Sequence, residues 1–342
     1  MIAHSTRTWL RRGLLGAGML AWLGSMAAQE TAKPAPPTSA EAPKSQFPKQ
    51  TFTYKTVGEC NIQADVYRPP GTGPRPGILW VHGGALISGS RENLRTVQME
   101  RYVSAGFVVV SIDYRLAPET KLPAIIDDLR EAYAWMRAKG PALFGLDADR
   151  IGVIGHSAGG YLTQMSGFVL TPRPKALVSF YGYGDIVGEW YSRPAPFYSK
   201  SPAVPRDEAY AAVGGAIVTE GSGRSRGRFY LYCRQQGLWP KEVSGFDPDK
   251  EPRAFDRFCP IRNVTRDYPP TMLLHGDTDT DVPFQLSVDM DKELTRHGVR
   301  HEFIQMKNRG HGFDGGREAL RDPEITGVFD RVIAFLKEHL GS

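Results

Sequence analysis

Cysteine is scarce: the 342 residues contain three, Cys60, Cys233 and Cys259. That is too few for a disulfide scaffold, and their spacing is not that of a zinc site. In an oxidising compartment Cys233 and Cys259 could pair, with Cys60 left over. A strong charge of one sign is also lacking. Lys and Arg total 42 against 37 Asp and Glu, a formal charge of +5. Following a phosphate backbone needs a concentrated basic surface, so no nucleic-acid partner is expected. No internal repeat is evident. The balance of 41% hydrophobic and 23% charged residues excludes a wholly disordered chain, a collagen-like chain and a multi-span membrane protein.

What is present begins with an export pattern. Arg7, Arg11 and Arg12 precede an apolar run at residues 13–26. That run is too short to span a bilayer at about 1.5 Å per residue, and it suits the apolar region of a signal peptide. Ser25-Met26-Ala27 supplies small residues where a signal peptidase reads. The expectation is a signal peptide over residues 1–27, cleaved after Ala27, a periplasmic or secreted product, and no stable membrane insertion afterwards. Residues 28–50 hold five prolines and no apolar period, which predicts a flexible linker. The folded domain is expected over residues 51–342.

Within that domain, strand and helix patterns alternate. Thr51–Val57 and Ile62–Arg68 alternate polar and apolar residues around a turn at Gly58. Gly77–Val81, Phe107–Ile112, Ile151–Ile154, Ala176–Phe180 and Thr271–Leu274 are short, nearly continuous apolar runs, as in strands of a parallel sheet buried on both faces. Ile125, Leu129, Ala132 and Met136 mark one face of a helix that should stop at Gly140-Pro141. Further helices are predicted from Ala158 to about Val169, over Ser287–His297 and over Pro323–Leu340, with a strand at Arg300–Gln305. The order implies an α/β fold, a mostly parallel doubly wound sheet with helices on both faces. Residues 186–268 break the order. They are rich in Pro, Gly, Arg and aromatics, and are read as an insertion. Its rings could form a lid over the substrate or a small core of their own. Its basic run Arg224–Arg228 is read as a solvated loop.

Gly155-His156-Ser157-Ala158-Gly159 falls between a predicted strand and a predicted helix. A G-x-S-x-G turn in that setting presents a nucleophilic serine from a tight, strained elbow. The helix behind it offers free amides to a developing oxyanion. His82-Gly83-Gly84-Ala85 follows another buried strand, where glycines let backbone amides approach a carbonyl oxygen. Of eight histidines, His311 lies in a glycine-flanked loop after a late strand and is the candidate base. His82 and His156 adjoin working residues and are read as structural. Asp277, Asp279 and Asp281 all follow a strand and precede His311, giving the chain order Ser, Asp, His. Spacing alone leaves the three acids open.

Together, Trp80-Val81-His82-Gly83-Gly84, Asp113-Tyr114-Arg115-Leu116-Ala117-Pro118-Glu119, Asp147 to Ile151, the elbow, and His275-Gly276 through Val282-Pro283 resemble the α/β-hydrolase superfamily. The resemblance is to bacterial carboxylesterases of the feruloyl-esterase-like and hormone-sensitive-lipase-like branch. It runs from about Ala64 to Leu340, the insertion excepted. It implies an α/β-hydrolase fold with an aromatic-rich insertion, and a catalytic acid four residues after the histidine of His-Gly, which here is Asp279. It implies an oxyanion hole from the amides of Gly84, Ala85 and Ala158, with Ala85 standing where the lipase-like pattern has a third glycine. Asp113, Tyr114 and Arg115 are expected to brace the oxyanion loop. The expected function is a secreted serine hydrolase acting on a small-molecule carboxylic ester through Ser157, His311 and Asp279, without metal or organic cofactor. A peptidase or amidase would use the same residues, but the short linker cannot encode the propeller domain of prolyl-peptidase relatives. A non-catalytic binding protein would be expected to lack the base.

Overall fold

The computed structural model describes residues 45–221, 224–315 and 319–341. The expected signal peptide and residues 28–44 of the expected linker lie outside these. Eight strands form one sheet among the described residues: β1 Lys49–Val57, β2 Cys60–Tyr67, β3 Arg75–Val81, β4 Val108–Ile112, β5 Leu146–His156, β6 Ala176–Phe180, β7 Thr271–Gly276 and β8 His301–Met306. Their spatial order is β1-β2-β4-β3-β5-β6-β7-β8. The β1–β2 and β2–β4 pairs are antiparallel, and the other neighbours are parallel. The helices are α1 Thr96–Ser104, α2 Leu122–Phe144, α3 Ala158–Val169, α4 Glu189–Ser192, α5 Arg206–Tyr210, α6 Arg224–Gln236, α7 Trp239–Ser244, α8 Gln285–Arg296 and α9 Pro323–Leu340. This is the α/β-hydrolase arrangement, with helices on both faces of the sheet.

The apolar runs are continuous because successive strand residues bury opposite faces. In β3, Leu79 and Val81 pack with α2 and α3 residues such as Ile125, Leu129 and Tyr161. Ile78 and Trp80 face the other way, toward Met99, Phe329 and Phe335 of α1 and α9. Helix α9 starts where Asp322 accepts the Glu324 amide at 2.9 Å and Pro323 takes the first helical position. Its buried stripe of Ile325, Val328, Phe329, Val332, Phe335 and Leu336 then covers the sheet.

Four local readings differ from this structure. Strand β1 begins at Lys49, so Lys49 and Gln50 belong to the sheet and not to the linker. Helix α2 continues through Gly140-Pro141 and ends at Gly145, which is left-handed at φ 62°. Phe144 is held in the last turn by Phe52 and Trp135, at ring-centroid distances of 5.9 and 5.6 Å, and this packing overrides the local stop signal. The basic run opens α6, and Arg226 within it is buried against Glu119 at 2.8 Å. Cys233 and Cys259 are separate buried thiols, and Cys60 is a half-buried one.

The insertion is no isolated lid. Its rings Tyr191, Trp239, Phe229, Phe255 and Phe258 join the same core as the sheet. Two arginines on α6, about two turns apart, fasten it to the rest of the domain. Arg226 donates to the carbonyls of Ile87 and Ala117, both at 2.6 Å, and pairs with Glu119. Arg234 pairs with Asp281 at 2.5 Å.

Candidate active site

Strand β5 runs into α3 through Ser157, whose backbone is left-handed at φ 56°, ψ −119°. The chain must turn so sharply that neighbouring backbones nearly touch. A methyl at Gly155 would lie 2.2 Å from the Gly159 carbonyl oxygen, and one at Gly159 would lie 2.1 Å from that of Val81. Only glycine fits at either place, which is the physical content of the G-x-S-x-G pattern. The Ser157 amide donates to the Phe180 carbonyl at 2.9 Å and ties the elbow to β6.

The Ser157 Oγ lies 2.9 Å from His311 Nε2, and His311 Nδ1 lies 2.7 Å from Asp279 Oδ2. The loops after β7 and β8 bring Asp279 and His311 together across 32 residues. The Asp279 side chain is fully buried. Its Oδ1 accepts the amides of Asp281 and Val282 at 2.8 and 2.9 Å, which leaves Oδ2 facing the imidazole. His275 Nε2 approaches the same Oδ2 at 3.2 Å and the Val282 carbonyl at 3.0 Å, with its Nδ1 on Ser287 Oγ at 2.7 Å. Burial opposes ionisation of Asp279. The hydrogen bonds from His275 and His311 outweigh it and hold the carboxyl far below the ordinary carboxylate range. Burial likewise lowers the His311 basicity, but the Asp279 hydrogen bond and the charges of Asp281, Asp279 and Asp314 outweigh it and raise the pKa. The carboxylate also selects the imidazole tautomer that carries its proton on Nδ1, so Nε2 is free to accept.

The other two acids take different positions. Asp277 accepts the Asn308 amide at 2.6 Å and the Gln305 side chain at 3.0 Å, away from the imidazole. Asp281 approaches the opposite ring nitrogen, with Oδ2 3.6 Å from His311 Nε2.

The loop after β3 forms the facing wall. Gly84, Ala85 and Leu86 are left-handed, at φ 104°, 56° and 60°. Among the described residues, neither the Gly84 nor the Ala85 amide donates to a backbone carbonyl. Ala158 begins α3 beside them. Besides Arg226 on the Ile87 carbonyl, three contacts hold the first half of this loop. Trp239 Nε1 donates to the Ala85 carbonyl at 2.9 Å. The Ala117 amide donates to the Leu86 carbonyl at 2.8 Å. The Tyr114 hydroxyl donates to the His82 carbonyl at 2.9 Å, under a His82–Tyr114 ring stack at 4.1 Å. Burial pushes the His82 imidazole down to about 4, so it is neutral near pH 7. Asp113 is bound by Arg91, and Arg115 by Asp128, at 2.5 and 2.7 Å.

Gly83, Gly84, Ala85, Ser157, His311 and Asp281 share a cavity of about 510 Å³, which Tyr181 and Tyr230 also line. Gly221, Gly227 and Tyr230 of the insertion line it, and Tyr230 is the insertion's one ring there among the described residues. Two groupings were not visible as units in the sequence. One is Asp281 with Tyr198, Tyr230 and Arg234. The other is buried Asp314, which accepts from Gln98 at 2.5 Å and Tyr181 at 2.6 Å and lies 3.1 Å from His156 Nε2. Asp314 stands three residues after His311, so its place on the His311 loop was the available signal. Among the described residues, no group of three or more His, Cys, Asp or Glu side chains is arranged to hold a metal ion.

Residues 64–186 match the family described as BD-FAE, and residues 228–342 match the prolyl oligopeptidase family. Non-reducing polyketide synthase Preu6 of Preussia isomera is 30% identical over 335 residues, covering 88% of this chain and 15% of the synthase. Esterase LipC of Mycobacterium tuberculosis is 29% identical over 279 residues, covering 77% of this chain and 58% of the esterase. The chain thus spans about one seventh of the synthase and less than two thirds of the esterase. An α/β hydrolase superfamily protein from Enterococcus faecalis superposes with a TM-score of 0.65 at 25% identity, covering 85% of this chain and 98% of that one. Carboxyl esterase 2 of Tuber melanosporum gives 0.64 at 21%, covering 87% and 89%. On its sheet order, its serine elbow and these likenesses, the chain belongs to the α/β-hydrolase superfamily.

Proposed function

We propose that the chain is an exported serine esterase that hydrolyses small-molecule carboxylic esters through an acyl-enzyme on Ser157. His311 Nε2 takes the serine proton as Oγ attacks the carbonyl carbon. Asp279 holds the ring and balances the imidazolium that forms. The amides of Gly84, Ala85 and Ala158 receive the oxyanion. The imidazolium then protonates the departing alcohol. Water, activated by the same nitrogen, attacks the acyl-enzyme and releases the acid.

The observation that carries this reading is the unbroken line from Asp279 Oδ2 through His311 to Ser157 Oγ, at 2.7 and 2.9 Å, beside two undonated loop amides. The esterase relatives support the ester over the amide. Export rests on the first 27 residues alone. The deciding experiment compares p-nitrophenyl acetate and butyrate with the matching p-nitroanilides. Ester hydrolysis with negligible anilide cleavage is expected. Efficient anilide cleavage with poor ester turnover would make the chain a peptidase or amidase.

A further inference from the structure

Asp281 lies in the reacting cavity, yet its neighbours use only half of its carboxylate. Oδ1 accepts from Tyr230 at 2.6 Å, Tyr198 at 2.8 Å and Arg234 Nη1 at 2.5 Å. A carboxylate oxygen has about two lone-pair sites, so three donors saturate it. An arginine serving only as a counter-ion commonly grips both oxygens through its fork. Here Arg234 sends its other nitrogen to the Asp281 main-chain carbonyl at 3.1 Å and leaves Oδ2 aside. Asp281 lines the cavity, and its Oδ2 is the oxygen on the His311 side.

That oxygen is held firmly. Arg234 is 3% exposed and sits over the rings of Tyr198 and Tyr191 at 4.5 and 4.8 Å. Turning Asp281 away would strip a buried guanidinium of its partner, which is costly. The position of Oδ2 is also informative. It lies 3.6 Å from His311 Nε2, the nitrogen that passes a proton to the departing alcohol. A group one or two atoms beyond the scissile oxygen therefore falls within reach of Oδ2. Among the described residues Asp281 is the one carboxylate that lines the cavity.

We propose that Asp281 is a specificity-determining residue that accepts a hydrogen bond from the alcohol half of the ester, from a hydroxyl or ammonium beside the scissile oxygen. The inference rests on the esterase reading above. It names the leaving groups this site prefers, alcohols with a neighbouring donor, and assigns that choice to one carboxylate oxygen.

Four acetate esters test it, because all four give the same acyl-enzyme and differ only in the alcohol. 2-Hydroxyethyl acetate carries a donor, and 2-methoxyethyl acetate does not. Protonated 2-(dimethylamino)ethyl acetate carries a charged donor, and acetylcholine carries the charge alone. In the wild type, kcat/KM for the hydroxyethyl ester should exceed that for the methoxyethyl ester by about tenfold or more, as expected for a hydrogen bond to a charged group. The dimethylamino ester should exceed acetylcholine likewise. Which donor-bearing ester is faster tells hydroxyl from ammonium. Asp281→Ala should bring both ratios to about one, and Asp281→Asn, which keeps an acceptor for Arg234, should do the same. An effect of Asp281 through the basicity of His311 would scale all four esters alike and leave the ratios unmoved. Wild-type ratios near one, or ratios that survive in both variants, overturn the proposal while hydrolysis of p-nitrophenyl acetate keeps the esterase reading. Failure on p-nitrophenyl acetate as well overturns the esterase reading and this inference with it.

Discussion

Trp239 donates its indole N–H to the carbonyl oxygen of Ala85 at 2.9 Å, across 154 residues of chain. Ala85 has a left-handed backbone at φ 56°, an uncommon state for a residue with a side chain. The indole thereby anchors the carbonyl of the residue whose own amide is proposed to receive the oxyanion. The insertion thus acts on the proposed oxyanion site through the backbone, from a ring stacked on Tyr191 at 4.1 Å. Trp239→Phe keeps most of the ring volume and removes the donor. It should lower kcat about tenfold, with a smaller change in KM, and lower stability by about 1–3 kcal/mol for the buried carbonyl left unpaired. Steady-state kinetics and denaturant melts read the two effects.

The acid limb of activity should lie above the ordinary histidine value of about 6.5. His311 must be neutral to accept the Ser157 proton. It faces Asp279, Asp281 and Asp314, with the Tyr181 ring edge-on at 4.7 Å, and its pKa is raised. Activity therefore rises as pH climbs through that raised value. Asp281→Asn removes one of the raising charges and should shift the limb of kcat/KM to lower pH. For stability the sign is reversed. The raised His311 pKa contributes stability that is full below the unfolded value and fades as pH rises through the folded one. The depressed Asp279 pKa contributes stability that is full above about 3.9 and fades as pH falls below it.

Asp279→Asn should lower kcat by about 10⁴, since the amide favours the wrong imidazole tautomer. Asp277→Asn should change it only a few-fold, because Asp277 is occupied by Asn308 and Gln305. Equal losses at both would place the orienting charge elsewhere.

Mass spectrometry of the exported protein should find Ala28 as its first residue, with Met1 to Ala27 removed. Soluble protein retaining Met1 would contradict export through this segment.

The sheet was legible because each parallel strand is buried on two faces and so writes itself as an apolar run. The elbow was legible because Gly155 and Gly159 answer to backbone contacts that no other residue permits. What could not be read is what distant packing decides. Gly140-Pro141 carries a local stop signal, but Phe144 lies on Phe52, far back in the chain. Arg226 looks solvated in its basic run, and its partner Glu119 is 107 residues away. The three acids at Asp277, Asp279 and Asp281 share one spacing. They part only in space, where two amides turn Asp279 toward His311 and three insertion side chains claim Asp281. The aromatic insertion offered a lid or a core, and its rings are mostly core because they stack on one another and on the sheet's helices.

The central claim, a nucleophile at Ser157, is tested most directly by comparing wild type and Ser157→Ala on p-nitrophenyl acetate, alongside labelling with a fluorophosphonate. Ser157 lies between a fixed backbone elbow and His311 Nε2 at 2.9 Å, so its replacement should leave the fold intact. The account predicts a loss of kcat of about 10⁴ or more, and a stoichiometric adduct on the Ser157 peptide of the wild type that the variant lacks. A variant within about tenfold of the wild type, or an adduct on another residue, would contradict it.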